Sequence, residues 1–247
     1  MTIKIASLHP FVSRGFAAGL AVGVSHWRPG LGAGVRHSEI FTVADEAGGT
    51  GAALALALDQ AEPEHGERPW LWVQDKAARR LGGRPYRPGI PSNLRHRLIH
   101  VAADTPEDAL FALEEGLRCR DLAFVVGEIA GNPRELGFTA SRRLSLAAEK
   151  HGIALWLIRL DAARDLGSAR MRWEVRSAPS LRPHWNMAAP GSPSWRADLF
   201  RAHTHQPGQW ILRDDASFTA EPAITPHPGD LADTARNRSL APKRTSA

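Results

Sequence analysis

The chain has 247 residues, 43% hydrophobic and 23% charged, with a formal net charge of +5, which suits one soluble α/β domain with a substantial core. Its one cysteine, Cys119, excludes an internal disulfide and fits a reducing, cytoplasmic setting. No apolar run reaches the length of a membrane span, and His9, Pro10, Ser13 and Arg14 interrupt the apolar stretch that a secretory signal needs.

Residues 1–30 read as an N-terminal extension. A strand, His37 to Ala44, then leads into Ala47-Gly48-Gly49-Thr50-Gly51 and an apolar helix over Ala52 to Leu58. Strand, glycine turn and helix is the layout of a phosphate-binding loop, in which backbone N–H groups and a lysine hold nucleotide phosphates. Gly48, Gly49, Thr50 and Gly51 are therefore the candidate nucleotide loop. With Gly51 as the second glycine of G-x-x-x-x-G-K-[ST], the lysine and hydroxyl positions hold Ala52 and Ala53, and Glu46 stands at the first glycine. With Gly49 there instead, Thr50 replaces the lysine and Gly51 the hydroxyl. Both frames argue against ATP turnover.

Trp70 to Gln74, bounded by turn residues, reads as a buried strand. Leu81 to Gly89, rich in glycine and proline, reads as loop. Leu98 to Val101 is a short strand. Thr105 caps a helix whose first turn holds Pro106 and Asp108, with Ala109, Leu110, Leu113 and Leu117 on one face. Leu122 to Val126 and Ile153 to Ile158 are continuous apolar strands around a helix from Thr139 to His151, which Gly152 stops. Strands apolar on both faces and alternating with helices predict a mostly parallel sheet covered on both sides.

After Arg164 the pattern changes. Met171 to Arg176 and Trp195 to Arg201 alternate like strands with one wet face, and Gln209 to Leu212 can pair with the latter across Gln206-Pro207-Gly208. An antiparallel extension of the sheet is expected. Proline, alanine and polar residues dominate the end of the chain, and 217–247 is expected to be a disordered tail.

Gly30-Leu31-Gly32-Ala33-Gly34 ahead of Glu39-Ile40-Phe41, the strand ending Gln74-Asp75-Lys76 and the strand ending Val125-Val126-Gly127-Glu128 together resemble a RecA-like fold. Further segments resemble the ImuA family of RecA-related mutagenesis accessory proteins. They are Ala112 to Arg118, Thr139 to Glu149, Arg172-Trp173-Glu174-Val175 and Ala178-Pro179-Ser180. The resemblance implies a three-layer RecA-like core over residues 31–216, with Lys76 near the place of a catalytic glutamate and Gly127 at that of a Mg²⁺-binding aspartate. It implies a non-catalytic accessory role in damage-induced (SOS) translesion synthesis. The implied partners are an ImuB-like inactive Y-family polymerase, RecA and an error-prone replicative-type polymerase. A SulA-like division inhibitor, a divergent ATPase borrowing Lys76 and a single-stranded DNA-binding module are the alternatives.

Arg142, Arg143, Arg170, Arg172 and Arg176, with Trp173, are the candidate surface for single-stranded DNA or an acidic partner. The plainer reading pairs the basic residues of this half with Glu149, Asp161, Asp165 and Glu174. His203 and His205 could share one strand face, but no further ligand completes a metal set. No G-x-S-x-G elbow is present, and no catalytic residue is assigned. No cofactor is expected; ATP held without hydrolysis by the N–H groups of Gly48, Gly49 and Gly51 is the lesser alternative.

Overall fold

The six residues from His37 to Thr42 are buried on both faces, so this strand belongs at the centre of a covered sheet. The computed structural model describes residues 35–46, 48–60, 67–186, 188–214 and 218–223. In chain order these form β1 (His37–Thr42), α1 (Gly48–Gln60), β2 (Trp70–Gln74), α2 (Lys76–Gly82), α3 (Ser92–Arg95), β3 (Leu98–Ala102) and α4 (Pro106–Arg118). There follow β4 (Phe124–Ala130), α5 (Phe138–His151), β5 (Ala154–Leu160), β6 (Met171–Ser177), β7 (Ser194–Ala202), β8 (Gly208–Asp214) and β9 (Phe218–Pro222). The strands make one sheet in the order β3-β2-β4-β5-β1-β6-β7-β8-β9. The first six of that order run parallel, and β7, β8 and β9 continue it antiparallel.

Two cores cover the two faces. On one, α1, α2 and α3 pack Ala52, Leu56, Ala78 and Leu94 onto Trp70, Phe124, Trp156 and Trp173. Trp70 stacks on Phe124 at 5.3 Å, and its indole N–H donates to the Leu94 carbonyl at 3.0 Å. On the other, α4 and α5 set Leu113, Leu117 and Leu144 against Val125, Leu155 and Leu157. The α4 start is as the sequence predicts, with the Thr105 hydroxyl accepting from the Asp108 N–H at 3.1 Å. Gly152 ends α5 at φ +73°, where a side chain would be strained. No described helix is long and apolar enough to cross a membrane.

Four expectations change. The glycines expected as a turn are the first turn of α1. The stretch read as loop begins as helix, because α2 runs through Leu81 and Gly82, and Arg87–Gly89 is a 3₁₀ turn. Strand β6 is parallel to β1, not part of a purely antiparallel extension. It runs so because residues 161–170 carry the chain back past β1 before β6 starts. Finally, Phe218–Pro222, expected in the tail, forms the edge strand β9. An edge strand needs partners on one side only and tolerates a terminal proline, so five residues of mixed character suffice. The tail from residue 224, the N-terminal extension and Gly30 to Gly34 lie outside the described residues.

The 161–170 crossover lies over a buried ion pair. Glu39 and Arg172 are directly opposite on β1 and β6. The Arg172 guanidinium donates to the Glu39 carboxylate at 2.7 Å and sits 4.9 Å from the Phe41 ring centroid. Gly167 covers the carboxylate so closely that a Cβ there would be 3.0 Å from both oxygens. Beside it, the Ser145 hydroxyl donates to the Ser168 carbonyl at 3.1 Å and meets His37 Nδ1 at 2.7 Å.

Burial, and then the charge of Arg172, hold the His37 imidazole down at about 3, against an ordinary 6.5. Native His37 therefore stays neutral while the unfolded chain protonates it. Its stabilising effect is complete above pH 6.5 and is lost as pH falls towards 3, at no more than about 1.4 kcal/mol per pH unit. Urea unfolding across this range should show that slope, and His37→Gln should flatten it. Glu39→Ala should cost about 3–5 kcal/mol by leaving the buried Arg172 with only the more distant Asp165 at 3.6 Å, whereas Glu39→Leu combined with Arg172→Met should recover most of the loss.

Candidate functional site

The parallel strands end on a cavity of about 520 Å³, lined by Asp45, Thr50, Trp72, Gln74, Tyr86 and Glu128 among others. Its floor is built by alternation. Trp72 and Gln74 on β2, and Val126 and Glu128 on β4, face the α1 side of the sheet, with Gln74 and Glu128 in register. Gly127 faces the other way, and a Cβ there would sit 3.0 Å from Leu113 and Leu157. Glu128, not Gly127, is therefore the β4 residue that reaches the cavity.

The loop between β1 and α1 is short and pinned at both ends. The Ala44 N–H donates to Asp161 at 2.9 Å, and the Glu46 carboxylate accepts from the Ser177 N–H at 2.6 Å. Because α1 starts at Gly48, the frame that aligns strand, loop and helix with G-x-x-x-x-G-K-[ST] is Val43 to Thr50. That frame differs from both sequence readings. Thr50 takes the hydroxyl position, Gly49 the lysine position and Val43 the first glycine. The glycines serve packing: a Cβ at Gly49 would lie 2.4 Å from Thr42 Cγ2, and one at Gly51 2.8 Å from Trp195 Cζ2. A lysine at 49 has no room on this backbone.

The Thr50 hydroxyl donates to one Glu128 oxygen and the Gln74 amide to the other. Gln74 also donates to the Gly83 carbonyl at 3.0 Å, and its own carbonyl meets His100 Nε2 at 2.9 Å. Burial pushes the Glu128 carboxyl above the usual carboxylate range, partly opposed by the Thr50 and Gln74 hydrogen bonds. Burial also raises Asp75, which caps α2 by accepting from the Ala78 N–H at 2.6 Å, and lowers His100. The network thus ties α1, β2, β3 and β4 together and consumes the hydroxyl that a bound metal would need. Among the described residues, Asp45 and Glu46 line the cavity against one lining cation, Arg84, which disfavours phosphate.

No family model matches the chain. It is similar to Protein ImuA of Caulobacter vibrioides strain NA1000 / CB15N, 30% identical over 228 residues that cover 87% of this chain and 83% of the relative. The same figures hold for Protein ImuA of strain ATCC 19089 / CIP 103742 / CB 15. This chain belongs to the ImuA family.

The basic residues expected to form one surface are dispersed in this ImuA-family chain. Trp173 is buried, edge-on to Trp210 at 5.9 Å, and Arg172 is the buried partner of Glu39. Neither belongs to a surface, since both lie on β6 where the sheet is covered on both faces. Arg143 pairs with Glu114 at 2.6 Å and Arg170 with Glu149 at 2.7 Å, while Arg176 reaches Glu174 at 3.4 Å. Arg142 is exposed. The plainer pairing therefore accounts for most of the set, although Asp161 binds the Ala44 N–H instead of an arginine. His203 and His205 fall in the bend after β7, not on a strand, and no group of three or more metal-ligating side chains occurs among the described residues. Cys119 is exposed and free. Lys76 starts α2 and is exposed, outside the Glu128 network.

Sequence reasoning missed Thr50 with Glu128, and Gln74 with His100. The signal was present as alternation: Phe124, Val126 and Glu128 on one face match Trp70, Trp72 and Gln74 on the next strand. Thr50→Val should lower stability by about 1–3 kcal/mol in urea unfolding, because it removes a donor from a buried carboxyl. Thr50→Ser should retain most of the wild-type value.

Proposed function

We propose that this chain has an ImuA-type role in damage-induced mutagenesis. It acts as a non-catalytic, RecA-like accessory protein that helps assemble a translesion polymerase complex. Its partner is an inactive Y-family polymerase relative of the ImuB type, with RecA or an error-prone replicative-type polymerase in the same assembly. Membership of the ImuA family supports the role. The observation that carries the non-catalytic part is the Thr50–Glu128 contact in a cavity with no space for a lysine at 49.

Phosphoryl transfer needs a cation on the β- and γ-phosphates, a metal on a free hydroxyl and carboxylate, and a positioned water. Here the hydroxyl and carboxyl bind one another and the cation position is Gly49. Loss of one preorganised electrostatic contact typically costs about 2.7–4 kcal/mol of transition-state stabilisation, so the site serves as a brace between layers. A working surface must then lie elsewhere. Among the described residues the sheet ends at β3 and β9, and an edge strand offers main-chain groups to a partner strand.

Size-exclusion chromatography of the purified chain with the ImuB-type protein of the same organism should yield a stable complex that forms without nucleotide. ATP with Mg²⁺ should be hydrolysed no faster than in buffer. Turnover above background that disappears in Thr50→Val would overturn the non-catalytic reading.

A further inference from the structure

We infer that the hairpin formed by β6 and β7 binds single-stranded nucleic acid. Antiparallel neighbours are usually joined by two to five residues, yet here the connection spans residues 178–193. From Val175 to Ala197 the sequence holds no aspartate or glutamate, while it holds Arg176, Arg182, His184 and Arg196. At the base of the hairpin Arg176 and Arg196 are directly opposite one another. Like charges in that position cost stability, so the pair asks for an anion. Arg176 has Glu174 at 3.4 Å, and no carboxylate lies within ion-pair distance of the exposed Arg196 among the described residues.

Further out, Pro179, Ser180, Arg182 and Ala188 to Gly191 line an open hollow of about 810 Å³. At the tip stands Trp185, 81% exposed, whereas every other described tryptophan is buried. The backbone that carries Trp185 is held in a turn. Trp185 is a central residue of that turn, which is closed by the Asn186 N–H on the Pro183 carbonyl at 3.2 Å, and the Asn186 side chain accepts from the Ala188 N–H at 2.9 Å.

Arg182 and Arg196, beside an Arg176 that shares Glu174 with Arg164, suit a row of phosphates, and an indole standing in water suits the face of an unpaired base. A duplex would keep its bases from that indole. An acidic protein segment would use the arginines without needing the tryptophan. Single-stranded nucleic acid uses both.

The test is fluorescence anisotropy of a labelled oligothymidylate with the full chain, at several salt concentrations between about 50 and 200 mM. Binding should weaken with salt, and Arg176→Gln with Arg196→Gln should lower the log–log slope by about 1.4, the share of two phosphate contacts on a single strand. Trp185→Ala should weaken binding about tenfold with the slope unchanged, and Trp185→Phe should restore most of it. Arg196→Glu, which puts a carboxylate opposite Arg176, should raise the melting temperature while abolishing binding. That combination separates a lost site from a lost fold. Absence of binding at the lowest salt, or binding indifferent to all these substitutions, would overturn the inference. So would polyglutamate competing as well as the oligonucleotide with dependence on the arginines but not on Trp185, which would assign the hairpin to an acidic protein.

Discussion

The first turn of α1 lies so close to the sheet that positions 49 and 51 admit no side chain without displacing Thr42 or Trp195. Much of the remaining arrangement follows from that approach. It sets Thr50 above the end of β4, where its hydroxyl meets Glu128, and through Glu128 it reaches Gln74 and His100 on the next two strands. It brings Gly48 beside Ser177, within 3.2 Å of that hydroxyl for a Cβ built there, so the end of β6 and the start of α1 are locked together. Glycine in a helix costs roughly 1 kcal/mol relative to alanine. Three glycines in one turn are tolerated because each opens contact with a different part of the sheet.

The opposite face of the sheet solves another problem. Where β1 meets β6 no helix spans the connection, and residues 161–170 with the Phe200 ring cover Glu39 and Arg172. Two charges held out of water need each other and further partners. Arg172 finds Glu39, Asp165 at 3.6 Å and the rings of Phe41 and Phe200, and Arg159 beside it has Asp165 and the Gly131 carbonyl. The pair fixes the register of β1 on β6 more than it adds stability, because a shift of one residue would bury both charges against apolar neighbours.

Most of the parallel core is legible in the sequence, and the reason is burial. Trp70 to Gln74, Phe124 to Val126 and Leu155 to Ile158 are covered on both faces, so their continuous apolar character announces them. The start of α4 is legible because Thr105, Pro106 and Asp108 satisfy its orphan N–H groups locally. The glycine turn was misplaced for an equally physical reason. Glycine runs usually mark a turn, and nothing local reveals that these are there to admit Thr42 and Trp195, which arrive from elsewhere in the chain. Arg172 and Trp173 look like surface groups in an alternating strand, but the cover over β6 comes from α1 on one side and from residues 161–170 on the other. The Glu128 network needed the loop length before α1 and the face of β4, both set by tertiary pairing.

A nucleotide can shift a conformational equilibrium only by as much as it binds one state better than another. On the proposed reading this core has no such lever, since its hydroxyl, carboxyl and glutamine are satisfied within the fold. The core is then a rigid support whose energy is independent of nucleotide, and any regulation must act at its surfaces. The β6–β7 hairpin suits that division. Its base is anchored to the loop before α1 through Glu46 and Ser177, the same contact that closes that loop after β1. The opposed arginines are tolerated there because the covered part of the sheet carries the stability, and the exposed Arg196 is free to hold a charge that the fold itself does not neutralise.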